Sequence, residues 1–208
     1  MPFFLLNLNH FDAPISLISK KKGGCGLERK LKLVKRAKKG DFEAFQTLIH
    51  EEKEKMYRMA YMYMRNEDDA LEVFQESLCK ALTSIHTLRN NDYFSTWVMK
   101  ILINSAIAAL KKKQKLVSLS NEALEYIGTT EHLQNEEQLD LLQAMDEIEE
   151  KYKTVLLLRF YEDYTVKQIA AFLNCPEGTV KTNIRRGLEV LRSKLKGVYF
   201  DDRQNSVV

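Results

Sequence analysis

The residues best suited to chemistry lie near the carboxyl end, where residues 177–196 carry six basic side chains and only two acidic ones. The basic residues are Lys181, Arg185, Arg186, Arg192, Lys194 and Lys196. A helix with an outward basic face fits the DNA major groove, where one arginine can bind guanine bidentately for about 1–3 kcal/mol. We predict a duplex-reading surface formed by Thr179, Lys181, Thr182, Asn183, Arg185 and Arg186.

The segment before this basic helix has the features of a helix-turn-helix. Thr165 with Gln168 three residues later predicts a capping box at a helix start. Asn174 tolerates the left-handed conformation of a tight turn, and Pro176 fixes the backbone where the next helix begins. Apolar residues then recur at helical spacing and predict the buried stripe of that helix, Val180, Ile184, Leu188 and Leu191.

An ordinary pair of helices with a solvated charged face is the alternative to DNA binding. The net charge is only +3, from 32 basic and 29 acidic residues, so affinity for nucleic acid has to come from local segregation of charge. Because the capping box, the tight turn and the outward basic face occur together, DNA binding is favoured.

A second group of polar and aromatic residues, over 89–115, suits single-stranded DNA. Unpaired bases stack on aromatic rings for about 1–3 kcal/mol each, and a flipped base can be read on its pairing edge. The candidates are Asn90, Asn91, Asp92, Tyr93, Lys100, Asn104, Lys111, Lys112 and Lys113. Two alternatives stay open: Trp97 fits a core position better than a stacking platform, and a lysine run is often only a solvated helix end.

An acidic stripe precedes this segment, with Asp69, Glu72 and Glu76 three to four residues apart and therefore on one helix face. Such stripes are most often simply solvated. An acidic face also complements a basic partner and speeds encounter with it.

The composition predicts helices to carry these residues. Hydrophobic residues make up 45% of the 208, and Gly (8) and Pro (3) are scarce. We predict an all-α chain of two small domains, a four-helix N-terminal domain and a C-terminal helix-turn-helix domain, joined by a flexible acidic linker. Phe42, Leu82 and Phe160 are among the side chains that the helical periodicity turns inward.

Changes in composition set the predicted boundaries. Residues 1–27 are predicted to be a mobile leader, with contact to a partner or membrane surface as the alternative. Residues 28–115 form the first domain, 116–138 the linker, 139–197 the second domain and 198–208 a tail. The linker prediction rests on residues 121–150, which contain ten acidic side chains and no Lys or Arg.

Several functional classes are disfavoured. The cysteines Cys25, Cys79 and Cys175 are far apart and form no metal-ligand pattern, which fits a reducing cytoplasm. Known phosphate-binding, nucleophile-elbow and zinc-hydrolase motifs are missing from the sequence. No run approaches 18 consecutive apolar residues. We expect no catalytic residue, metal or cofactor.

Two motifs together resemble the extracytoplasmic-function (ECF) sigma factors of bacterial RNA polymerase, within the sigma-70 family. Leu157 to Thr165, followed by Gln168-Ile169-Ala170 and Gly178 to Thr182, is similar to region four, which reads the upstream (minus thirty-five) promoter element. Asp69 to Ala81 is similar to the region-two signature that docks on polymerase. The resemblance covers about residues 28–197.

The resemblance implies that region two also recognises and melts the minus-ten element, so its partners are core RNA polymerase and promoter DNA, duplex and melted. It implies polymerase contacts at Asp68, Asp69, Glu72, Gln75 and Glu76. It also implies a membrane-bound anti-sigma factor, a cytoplasmic location and a role in a stress or envelope response. The alternatives are a conventional helix-turn-helix regulator that acts on duplex DNA without polymerase, and a helical adaptor.

Overall fold

The computed structural model describes residues 24–119 and 136–205, and within those ranges all regular structure is helical. Its side chains are described over 26–115 and 141–195. The predicted leader up to residue 23 and the predicted linker from 120 to 135 lie outside the described residues. The all-α prediction is confirmed.

Four helices build the N-terminal domain. They are α1 (Gly24–Ala37), α2 (Phe42–Met64), α3 (Glu67–Ser84) and α4 (Phe94–Leu119). Gly40 makes the tight turn after α1 with φ +92°, and the Asp41 carboxylate then caps α2 by accepting the Ala44 amide at 3.0 Å. Arg36 also donates to Asp41, and these bonds lower the pKa of that carboxyl.

Helix α4 packs against both α2 and α3, and its apolar face is buried. The stretch Asn91–Lys115, with mean hydropathy 1.3, is long and apolar enough to cross a bilayer by those two criteria. Phe94, Val98 and Leu102 from this stretch are fully buried in the domain core, beside Leu48 and Met56 of α2. The core of this helical domain accounts for the apolar character of α4.

The C-terminal domain consists of four helices, one of which continues into a π-helical turn. These are α5 (Glu136–Asp146), α6 (Glu150–Leu156) with a π-helical turn (Leu157–Tyr161), α7 (Val166–Leu173) and α8 (Glu177–Asn205). Helix α4 extends four residues past the predicted domain end, and α8 runs into the predicted tail.

The inward orientation predicted for Phe42 and Leu82 is wrong. Their exposed fractions are 48% and 41%. Both line a shallow groove between the α1–α2 turn and the end of α3, where Ile85 is buried beneath them. They lie at the edge of the helix layer, so one side of each remains in solvent.

The π-helical turn explains why the core position predicted for Phe160 is also wrong. The Glu162 amide donates to the Leu157 carbonyl at 3.1 Å, five residues back, which inserts one residue into the helical repeat. The extra residue keeps Leu157 and Leu158 buried and turns Phe160 outward, where it is 59% exposed.

Helix α8 crosses α6 at Gly187. The buried position predicted for Leu188 is wrong, and Gly187 faces the core in its place. A Cβ on Gly187 would lie 3.1 Å from both Leu156 Cδ1 and Tyr152 Cβ, so the glycine permits a close approach. Leu188 is 37% exposed. The contact positions are therefore 180, 184, 187 and 191, a spacing of three and four residues that follows the helical repeat.

Candidate nucleic-acid interface

The helix-turn-helix is built as its residues predict. The Thr165 hydroxyl accepts the Gln168 amide at 3.3 Å, and the Gln168 side chain accepts the Thr165 amide at 2.8 Å, which confirms the capping box. Asn174 adopts φ 54° and ψ 47° at the end of α7, in the left-handed region, as predicted. Ile169 and Val180 are fully buried on the two sides of the turn. The local sequence thus fixes the orientation of the first turns of α8.

Four predicted duplex-reading residues lie exposed on α8, namely Thr179, Lys181, Arg185 and Arg186. Arg185 Nη1 lies 2.7 Å from Glu189 Oε1, with both side chains more than half exposed. An exposed pair of this kind contributes little and breaks easily, so it leaves Arg185 available to a stronger acceptor. Thr182 donates to the Gly178 carbonyl at 2.9 Å and keeps its oxygen lone pairs free to accept.

Asn183 differs from the other predicted readers because it faces the N-terminal domain. It lines a cavity of about 640 Å³ whose opposite wall includes Lys100, Asn104 and Lys111 of α4. Lys100 also lies over the ring of Phe172 in α7, 5.9 Å from its centroid. Residues predicted to read DNA in each of the two domains therefore line the same cavity.

The predicted single-strand loop is a 3₁₀ turn over Asn91–Tyr93. The Asn90 side chain accepts the Asp92 amide at 3.0 Å, which orders the turn, and Tyr93 is 60% exposed. Lys38, in the turn after α1, donates to the Leu88 carbonyl at 2.6 Å and holds the start of the loop. Sequence reasoning missed Lys38, because its partner is 50 residues away.

The predicted readers on α4 fall into two groups. Asn104, Lys111 and Lys112 are exposed, whereas Lys100 and Lys113 are half-buried. Lys113 forms an ion pair with Asp69 of α3. Trp97 is partly buried, with its ring 5.9 Å from that of Phe94. This packing supports the core interpretation of Trp97.

Helix α3 presents an exposed acidic face. Asn66 caps the helix by accepting the Asp69 amide at 3.0 Å, and the first turn holds three acids, which the helix dipole favours. The exposed members of the predicted set are Asp68, Glu72, Gln75 and Glu76. Asp69 borders the buried side of the helix, and its side chain is 17% exposed.

The two domains meet along a seam between α2 and the segment from α5 to the π-helical turn. The Tyr63 hydroxyl is 2.7 Å from the Thr154 hydroxyl in a buried hydrogen bond. Burial raises the pKa of Tyr63, so this hydroxyl remains a neutral donor. Thr154 also donates to the Glu150 carbonyl, which leaves its oxygen to accept from Tyr63.

Ionic groups complete the seam. Asp146 accepts from Arg65 of the other domain at 3.1 Å and from Lys153 at 2.7 Å, so two cations share one carboxylate. Burial lowers the pKa of Lys153, and Arg65 Nη1 is buried with no hydrogen-bond partner among the described residues. An unsatisfied buried donor costs about 1–3 kcal/mol. This cost weakens the contact between the two domains.

Metal ligation finds no support in the ranges that the structure describes, where His, Cys, Asp and Glu form no group of three able to hold an ion. The described surfaces instead offer arginines, lysines, amides and the exposed ring of Tyr93, a set of groups suited to phosphates and bases.

Comparison with protein families gives two matches in chain order. Residues 48–116 match the family model described as Sigma-70 region 2, and residues 138–191 match the model described as Sigma-70, region 4. The first match spans most of α2 to α4, and the second spans α5 to α8 up to residue 191.

Curated proteins match over most of their length. The chain is 38% identical over 151 residues to the RNA polymerase sigma factor SigV of Bacillus subtilis strain 168, covering 72% of this chain and 89% of SigV. It is 32% identical over 179 residues to the ECF RNA polymerase sigma factor SigW of the same strain, covering 79% of this chain and 96% of SigW.

Solved structures share the fold. The sigma factor RpoE in complex with the anti-sigma factor NepR, from Bartonella quintana, matches with a TM-score of 0.62 at 19% identity, over 73% of this chain and 96% of RpoE. CnrH in complex with the cytosolic domain of CnrY matches with a TM-score of 0.60 at 16% identity, over 81% of this chain and 98% of CnrH.

Proposed function

We propose, because the chain belongs to the sigma-70 family as an RNA polymerase sigma factor of the ECF type, that each of its two domains holds one promoter element while core polymerase performs the synthesis. The observation that carries the proposal is the pairing of an exposed basic recognition helix with a separate loop and helix suited to unpaired bases. The conventional regulator is not favoured, because it requires no region-two domain.

The C-terminal domain would read the upstream element as duplex. Arg185 and Arg186 are exposed on the first half of α8, where a recognition helix contacts base edges in the major groove. Thr179, Lys181, Thr182 and Asn183 would contact neighbouring bases and phosphates.

The N-terminal domain would bind the minus-ten element after it melts. Tyr93 offers an exposed ring for stacking, and Asn90, Asn91 and Asp92 offer polar groups to a flipped base. Lys100 and Asn104 continue this surface along α4, and Lys111 and Lys112 extend it toward phosphates.

Strand opening would follow from selective binding. Unpairing a base costs a few kcal/mol, and a protein that contacts only the unpaired form shifts the equilibrium toward it. This mechanism needs no nucleophile, general base or cofactor from the chain. Nucleotide chemistry would belong to core polymerase, with the chain acting as a non-enzymatic initiation factor docked through the acidic face of α3.

We further propose that an anti-sigma factor, anchored in the membrane, holds the chain inactive in the cytoplasm until a stress or envelope signal releases it. RpoE was solved with the anti-sigma factor NepR, and CnrH with the cytosolic domain of CnrY. The similarity of fold supports an equivalent partner for this chain.

The domain arrangement described above would have to open on a promoter. Asn104 and Asn183 line one cavity, whereas elements centred near minus ten and minus thirty-five are about 25 base pairs, or roughly 85 Å, apart at about 3.4 Å per pair. Asn104 and Asn183 therefore cannot both reach their promoter elements while the two domains are in contact along the seam. The closed form thus competes with promoter binding.

Replacing Thr154 with Val should favour the open form, because it leaves the buried Tyr63 hydroxyl without its partner at a cost of about 1–3 kcal/mol. Small-angle X-ray scattering of the free chain should give a larger radius of gyration for Thr154→Val than for the unmodified chain. Thr83→Val is the matched control, since Thr83 is exposed and its hydroxyl donates to the Cys79 and Lys80 carbonyls of its own helix. Equal scattering from both variants would argue against the seam as a closure contact.

Transcription with purified core polymerase tests the function itself. Core supplied with this chain should initiate at new sites across bacterial genomic DNA, and mapping their 5′ ends should reveal two shared elements at fixed spacing. A set of start sites identical to that of core alone would refute the proposal, and a stable specific complex on duplex DNA without polymerase would favour the regulator.

A further inference from the structure

One ion pair joins the two predicted interaction surfaces of the N-terminal domain. The Asp69 carboxylate, in the first turn of α3, contacts the Lys113 ammonium near the end of α4. Their side chains are 17% and 41% exposed, so Asp69 is largely withdrawn from the surface. The pair bridges 44 residues of sequence.

A second contact crosses the same helix pair farther along. Lys80 Nζ donates to Ser105 Oγ at 3.0 Å, and Ser105 is buried. Position 80 follows position 69 on α3, whereas position 105 precedes 113 on α4, so the helices run antiparallel and are joined near both ends of their contact. Of these two contacts, the Asp69–Lys113 pair lies at the basic end of α4.

The neighbours of each partner have a different environment. Lys111, Lys112 and Lys115 are exposed, and so are Asp68 and Glu72. Lys113 and Asp69 are thus the members of their sets that point toward each other across the α3–α4 contact.

We infer that Asp69 and Lys113 form a positioning pair that orients the basic end of α4, and that neither one binds a partner directly. Asp69 does not dock on polymerase, and Lys113 does not neutralise a DNA phosphate. The inference rests on the proposed function, since it concerns which residues of the docking and strand-binding surfaces make contact. Asp69 is thereby removed from the predicted polymerase contacts and Lys113 from the predicted strand-binding residues, and the two together orient the end of α4.

Salt dependence separates positioning from phosphate contact. Each phosphate contact on a single strand contributes about 0.7 to the slope of log affinity against log salt concentration. The probe is a non-template-strand oligonucleotide from a promoter mapped with this chain, bound to the polymerase holoenzyme. Lys112→Gln should reduce the slope by about 0.7, whereas Lys113→Gln should leave the slope unchanged and lower affinity about 2- to 5-fold at every salt concentration.

Variants of Asp69 provide the second part of the experiment. Asp69→Asn should lower strand affinity about as much as Lys113→Gln, and the double variant should lower it no further, because both changes break one interaction. Affinity for core polymerase should stay within about twofold in Asp69→Asn while Glu72→Gln weakens it several-fold.

The outcomes distinguish this inference from the function on which it rests. A slope reduced in Lys113→Gln as much as in Lys112→Gln, additive effects of the two pair variants, or loss of core affinity in Asp69→Asn equal to that in Glu72→Gln would each overturn the positioning pair. Failure of the proposed function would appear instead as no strand binding and no core binding by the unmodified chain.

Discussion

Promoter-specific transcription should fall at least about 100-fold when Arg185 and Arg186 are both replaced by Glu. Both guanidinium groups are exposed on the recognition helix, and each bidentate contact with a guanine is worth about 1–3 kcal/mol. Reversal of charge replaces this attraction with repulsion from the DNA backbone. The measurement is run-off transcription from a mapped promoter by core polymerase with saturating chain.

The single variants Arg186→Glu and Arg192→Glu provide a matched comparison, with Arg192→Glu as the control. Both residues are exposed arginines on α8, and Arg192 lies beyond the first turns of the helix. We expect a much smaller loss for Arg192→Glu, and unchanged affinity of the double variant for core polymerase. Equal losses at 186 and 192 would show that general electrostatics, and not base contact by this helix, drives promoter binding.

This result also separates the sigma factor from an adaptor. A helical adaptor would retain its activity with Glu at 185 and 186, because no DNA contact would be lost. A duplex-binding regulator would lose activity, yet its activity would never have depended on added core polymerase. The polymerase dependence and the arginine dependence therefore have to be measured together.

The parts of the fold that sequence predicted correctly depend on short-range interactions. The capping box joins Thr165 and Gln168, which are three positions apart, and the left-handed conformation concerns the single residue Asn174. The side-chain types therefore suffice to identify both features. The orientation of Arg185 and Arg186 follows from the same local register.

The failures arise where packing, and not the helical period alone, decides which residues of a helix are buried. Phe160 fits a regular core stripe, but the π-helical turn adds a residue to the repeat and turns the ring outward. At Gly187 the sequence offers a small residue beside the larger Leu188, and the close approach of α6 selects the glycine. Neither event is visible in periodicity, which assumes a constant repeat and no neighbour.

Contacts between distant segments were the least predictable part of the candidate site. Asp69 and Lys113 both belonged to correctly recognised charged runs, but which lysine meets which acid depends on how α3 and α4 pack. The Tyr63–Thr154 bond joins residues 91 positions apart in different domains. Charge and hydropathy patterns contain no information about such pairings.

Charge reversal on α3 should produce a loss of comparable size through a different step. We expect Asp68→Lys with Glu72→Lys to weaken binding to core polymerase at least about 100-fold, because both acids are exposed on one face and would meet a basic partner. Affinity for core is measured by competition with the fluorescently labelled unmodified chain.

Glu43→Lys with Glu54→Lys is the matched control, since it changes net charge equally at exposed acids of α2. Asp68→Lys in the first turn of α3 and Glu43→Lys in the first turn of α2 each oppose a helix dipole, at a cost of about 0.3–1 kcal/mol, so thermal unfolding of all variants should be compared. Loss of core affinity in the control as large as in the α3 variant would contradict docking through α3.

The concentration dependence of the two defects identifies the step that each one blocks. Docking variants bind core weakly but retain their DNA-reading residues, so a large excess of chain should restore transcription by mass action. Excess chain should not rescue Arg185→Glu with Arg186→Glu, because its holoenzyme is already fully formed. If excess failed to rescue the α3 variant as well, that face would act after assembly, in promoter opening, and docking would have to be assigned elsewhere on the N-terminal domain.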